Sequence, residues 1–120
     1  MSVCEMAVAD TDPAGALQVQ ALLLASGQAC LVRATVDSTK GEDVVLAVRP
    51  TDSGLANVEI YSSSGSRVRT LDPVAVTANQ LYEIHWDGRN DYGQIVASGV
   101  YLAKVHAPGV DQVLKVVVVR

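Results

Sequence analysis

What most constrains this chain is the rhythm of its turn signals. From residue 30 onward, short stretches of alternating apolar and polar residues are broken by Gly, Pro, Ser and Asp at roughly 8–12-residue spacing, and none carries helical periodicity. Cys30 to Asp37 puts Val32, Ala34 and Val36 on one face, and Ser38 to Glu42 has turn composition. Val44 to Val48 is apolar throughout, as a strand covered on both faces must be. Asn57 to Tyr61 alternates, Ser62 to Ser66 supplies a glycine-centred turn, and Arg67 to Leu71 alternates again, which predicts a hairpin with Gly65 at positive φ. Asp72 to Asn79 reads as a loop. Leu81 to Trp86, Val100 to Ala107 and Gln112 to Val119 are three more strands, the last two joined by Pro108-Gly109. The expected fold is all-β, an antiparallel sandwich of about seven to eight strands.

A sandwich needs a filled interior, and this one is filled without phenylalanine: the 120 residues include no Phe, one Trp and four Tyr. Val, Leu and Ala carry the burial, at about 1.5–3 kcal/mol for each fully buried aliphatic side chain of Val or Leu size. Trp86 is the one large side chain available to span the gap between sheets, and its indole N–H needs a partner there. A chain of this length makes one core and hides about two-thirds of its unfolded surface.

Charge and patterning exclude several partners. The formal charge of −4 and the scattered placement of nine Lys and Arg argue against nucleic acid, which demands a clustered basic face. Arg67 and Arg69, alternating on one strand, read as a solvated strand face. The run Ala21 to Ala25 falls far short of the ~20 apolar residues of a membrane span. Val19 to Gly27 resembles a degenerate export h-region, but no Lys or Arg precedes Arg33, so no secretory signal peptide is expected. Two cysteines, Cys4 and Cys30, permit one disulfide; without an export signal, two small buried hydrophobes are the favoured reading.

The candidate chemistry is sparse. Asp87, Asn90 and Asp91 offer oxygens on one loop, but Arg89 stands where a calcium loop would place another acid, so a structural turn is favoured over a metal site. His85 and His106 read as surface strand residues. Ser62, Ser63 and Ser64 sit in a hairpin turn, where local hydrogen bonding explains them. No phosphate loop, zinc spacing or dinucleotide fingerprint occurs in the sequence. The expectation is therefore no catalytic residue, no cofactor-binding residue, no metal ligand, no cofactor and no enzyme.

The segment Val58 to Leu71, with Ile60-Tyr61, Gly65 and Val68 to Leu71, precedes Trp86-Asp87-Gly88, Gly93 and Gly99-Val100-Tyr101. In this order the pieces resemble the immunoglobulin-like domain of flagellar hook-capping proteins, and are similar to the C-terminal sorting modules of type IX secreted bacterial proteins. The resemblance covers roughly residues 30 to 120 and implies an immunoglobulin-like β-sandwich over 29–120, with 1–28 as an arm or extra strand outside the match. It implies a non-catalytic structural protein working by protein–protein contact, as a subunit or decoration module of a filament, flagellar cap, secretion machine or virion. A sorting or attachment module of a large secreted protein is the alternative. The implied location is extracellular, at the cell surface or in an assembled particle. The amphipathic stretch Leu17 to Leu23 is a candidate for pairing with a neighbour's sheet edge, so homo-oligomer contacts through residues 1–28 are expected, or a fold-back that covers an edge.

Overall fold

A computed structural model of the chain describes residues 24–33, 35–37 and 40–120. Among the described residues nine strands run in chain order: β1 (Gln28–Arg33), β2 (Thr35–Asp37), β3 (Val44–Arg49), β4 (Gly54–Ser62), β5 (Arg67–Thr70), β6 (Val74–Val76), β7 (Tyr82–Trp86), β8 (Gly99–Ala107) and β9 (Val110–Val119). They form two sheets. The smaller has the order β1-β3-β7; the larger has β2-β9-β8-β4-β5, with β6 pairing the start of β4. The two short strands β2 and β6 take the number past the expected seven or eight.

The expected strand over residues 30–37 is divided between the sheets. Its first part, β1, pairs antiparallel with β3 through Cys30↔Ala47 and Leu31↔Leu46. Its second part, β2, joins the other sheet and runs parallel to β9, Val36 facing Val118. The larger sheet is therefore mixed rather than wholly antiparallel. Likewise the expected loop 72–79 contains β6, whose Val74 to Val76 pair back along Gly54 to Ala56. Elsewhere the expected pattern holds. β3 is central in its sheet, and Val44, Leu46, Ala47 and Val48 are each fully buried. The β4–β5 hairpin turns at Gly65, whose φ of 93° is strained for any residue with a Cβ.

Burial follows the period of two. From the larger sheet, Ala56, Val58 and Ile60 of β4, Tyr101, Ala103 and Val105 of β8, and Leu114, Val116 and Val118 of β9 face inward. From the smaller come Ala29 and Leu31, Val44, Leu46 and Val48, then Ile84 and Trp86. No charged or polar residue is buried among the described residues. Trp86 is the largest side chain of this interior and is 0% exposed. Its ring meets Tyr101 across the gap edge-on, centroids 5.8 Å apart at 65°, the arrangement in which ring edge and ring face attract.

A second, smaller apolar cluster lies on the other face of the small sheet: Cys30, Val32 and Ala47, with Leu24, Val45 and Leu81 packed against them. Cys30 is disulfide-bonded, which corrects the expectation of a merely buried thiol. Cys4 and the amphipathic stretch Leu17 to Leu23 lie outside the described residues.

Two measurements probe this interior. Trp86→Ala should cost about 3–5 kcal/mol in urea denaturation, the usual loss for truncating a buried aromatic; an unchanged midpoint would mean that the indole does not hold the sheets together. Burial also raises the ionisation of the Tyr101 phenol above the ordinary 10.0. The folded state thus favours the protonated phenol. Its contribution is complete below about pH 10 and is lost as pH rises through the higher folded-state value. Alkaline melting curves should therefore fall less steeply for Tyr101→Phe than for the wild type. Equal slopes would refute the assignment.

Candidate functional site

The longest connection between the described strands runs from Asp87 to Ser98, carrying the polypeptide from the small sheet to the large one. The sequence places its most polar cluster here, and the structure shows how each group is used. Trp86, at the end of β7, donates its indole N–H to the Arg89 carbonyl at 2.8 Å. The core residue thereby fixes the first bend of the loop. Asp87 Oδ1 accepts the Arg89 backbone N–H at 3.1 Å, a local carboxylate–backbone turn of the kind Asp favours. Gly88 and Gly93 supply the left-handed conformations, with φ of 76° and 79°. The Val96 N–H then closes on the Gly88 carbonyl at 2.9 Å.

Asn90 organises the tip. Its Oδ1 accepts N–H bonds from Tyr92 and Gln94, both at 2.9 Å, while its backbone N–H donates to the Gln94 carbonyl at 2.8 Å. Arg89 Nη1 reaches the Gly93 carbonyl at 2.8 Å. Asp91 ties the loop to the body of the domain. Its backbone N–H donates to the Val68 carbonyl at 3.0 Å and its Oδ1 accepts the Thr70 N–H at 2.9 Å. The loop so occupies main-chain groups on β5, an outer strand of the large sheet. Unpaired groups on such a strand invite adventitious pairing.

Arg69 is the residue that sequence reasoning misread. It is not a spare cation: its Nη1 lies 3.3 Å from Asp87 Oδ1 and donates to the Arg89 carbonyl at 3.1 Å. Its Nε stands 3.9 Å from Asp91 Oδ1. One guanidinium thus spans two carboxylates and a carbonyl, a task suited to its planar fork of donors. Arg67, two residues earlier, keeps the expected exposed position, its Nη1 3.7 Å from Glu59. Alternation along β5 could not separate the two, because the partners of Arg69 are 18 to 22 residues away. The only hint was the pair of aspartates at 87 and 91.

The oxygens considered for calcium are therefore engaged by the protein itself: Asp87 and Asp91 by Arg69 and backbone N–H groups, Asn90 by two backbone N–H groups. A divalent cation at this loop would also have to sit beside the Arg69 charge. Among the described residues no three His, Cys, Asp or Glu side chains are grouped to hold a metal. His85 is half exposed, with Nδ1 3.5 Å from Asp43 and Nε2 3.8 Å from Glu83. His106 lies on the outer face of the large sheet beside Asn57, Glu59, Lys104 and Asp111, in a shallow open depression. Ser62 and Ser64 hydrogen-bond each other at 2.8 Å within the hairpin turn.

The loop acts as a turn that fastens one sheet to the other. Asp87→Ala, losing the Arg89 N–H bond and the Arg69 contact, should lower stability by about 1 kcal/mol. A chelator should leave the wild-type melting temperature in place. A chelator-induced drop that added calcium restores, and that Asp87→Ala lacks, would instead make the loop a metal site.

Residues 33–109 match the FlgD Ig-like domain. Among solved structures, the chain is similar to the dimeric latent PorU of Porphyromonas gingivalis, with 28% identity and a TM-score of 0.57 over 76% of this chain and 9% of that one. It is also similar to PorZ, an essential surface component of the type IX secretion system of the same bacterium, with 22% identity and a TM-score of 0.52 over 77% of this chain and 11% of that one. FlgD from P. aeruginosa shares 21% identity at a TM-score of 0.50, over 68% of this chain and 63% of that one. The chain thus spans about a tenth of PorU and of PorZ and less than two-thirds of that FlgD. No curated protein matches it in sequence. The family match extends from β1 to the β8–β9 turn and includes both the β4–β5 hairpin and the Trp86-to-Tyr101 segment; the chain belongs to the FlgD Ig-like domain family.

Proposed function

We propose that this domain is a non-catalytic assembly module that acts by protein–protein contact in an extracytoplasmic or particle assembly. The observation that carries the reading is how the most polar loop of a FlgD-type domain is spent. Asp87, Asn90, Asp91, Arg69 and Arg89 are bonded to one another and to backbone, so the loop holds shape rather than a reacting group. The disulfide at Cys30 supports a place outside a reducing cytosol. A rigid sandwich with a fixed loop is suited to presenting surfaces, since little order remains to be imposed on binding.

A second reading, a sorting or attachment module of a larger secreted protein, is favoured by the 28% identity to PorU and by the small share of that protein that this chain spans. Two experiments separate the readings. Light scattering across a concentration series should give masses above the 12.6 kDa of one chain if the module assembles with itself; a strictly monomeric mass throughout counts against self-assembly. A reporter fused ahead of the chain in a type IX-secreting bacterium should stay inside the cell under the first reading. Its appearance at the surface would favour the second.

A further inference from the structure

The outward face of the small sheet is divided in an unusual way. On β7, Glu83 and His85 point away from the interior and are exposed, as the outer face of a sandwich should be. On β1 and β3 three outward residues are apolar and covered, Cys30 at 4% exposed, Val32 at 8% and Ala47 at 0%, while Gln28 at the start of β1 is exposed. The three form a cluster separate from the inter-sheet core, and the partly buried hydrophobic residues packed against it among the described residues are Leu24, Val45 and Leu81. Leu24 and Leu81 lie towards one end of these strands, and Val45 belongs to the face itself. Outward apolar residues at this level of burial require a cover running along the strands.

Cys30 lies in the middle of the patch and is disulfide-bonded. The chain has one other cysteine, Cys4, so the bond is to Cys4 of the same chain or of a second copy. The described chain begins at Leu24, which packs against this patch and whose carbonyl accepts from Arg49 Nε at 2.6 Å. Immediately before it stands Leu17-Gln18-Val19-Gln20-Ala21-Leu22-Leu23, in which Leu17, Val19, Ala21 and Leu23 share one face of an extended chain. Seven extended residues reach about 23 Å, against about 20 Å for the six residues of β1.

We propose that the apolar outer face over β1 and β3 is the docking surface for this chain's own residues 17–23, and that a Cys4–Cys30 bond within the same chain pins the segment there. The twenty-one residues from Cys4 to Leu24 are enough to run out along the sheet and return to Cys30. This inference is independent of the assembly reading above, because it concerns a contact within one chain.

Three measurements on the full chain test it. A non-reducing peptide map after alkylation should yield a Cys4–Cys30 cross-linked peptide from a band of single-chain mass on a denaturing gel. The same peptide only in a covalent dimer, or two alkylated cysteines, overturns the proposal. Hydrogen exchange of residues 17–23 in the oxidised wild type should be at least tenfold slower than in an unstructured peptide of that sequence; equal rates refute docking. Finally, Leu17→Asp combined with Val19→Asp should raise the fluorescence of an apolar dye several-fold while Trp86 emission, the report of an intact core, stays unchanged. No gain in dye binding by the folded variant would mean that something other than this segment covers the face.

Discussion

The indole of Trp86 is the point at which the interior and the surface of this domain become one problem. Its ring occupies the inter-sheet gap against Tyr101, and its N–H emerges at the Arg89 carbonyl. A buried donor of this kind costs roughly 1–3 kcal/mol if left unmet. The first bend after β7 is therefore held in place by the core, and everything beyond it inherits that position: the Asp87 turn, the Asn90 tip, the Asp91 contact with β5. Tyr101 repeats the device from the opposite sheet, its hydroxyl donating to the Ala97 carbonyl at 2.7 Å. Two aromatic side chains thus fasten both ends of one connection, in a protein that has few aromatics to use.

That economy shapes the rest of the interior. Without phenylalanine, the gap is filled by many Val, Ala and Leu side chains whose register must be kept along each strand, since a slip of one residue would turn every apolar side chain outward. The loop from 86 to 98 contributes to register by gripping β5 through Val68 and Thr70. Arg69 reinforces the grip, although an ion pair this open to water adds less than about 1 kcal/mol. Its larger role is geometric, in holding Asp87 and Asp91 at a fixed distance from the strand.

Much of this was legible in the sequence, and the exceptions have physical causes. The β4–β5 hairpin, the fully covered β3 and the inward phase of Ile84 and Trp86 all follow from local alternation and turn chemistry, which are written within a few residues of one another. The division of residues 30–37 between two sheets was not legible, because Val32 and Val36 alternate identically whichever sheet receives them. Nor was β6, only three residues long and specified by its pairing with Gly54 to Ala56 rather than by its own pattern. At the candidate site the turn roles of Asp87 and the glycines could be read from composition. The partnership of Arg69 with Asp87 and Asp91 could not, as it exists only after the chain has crossed from one sheet to the other.

The parallel pairing of β2 with β9 bears on how the domain carries load. Thr35 to Asp37 and Val117 to Val119 run side by side in the same direction, with the entry to β2 and the exit from β9 at opposite ends of the shared patch. Tension drawn along the chain through those two points slides the strands lengthwise past each other. Their hydrogen bonds are then strained together rather than opened one after another, as they would be if a hairpin were peeled from its end. A patch wired in this way yields abruptly rather than gradually.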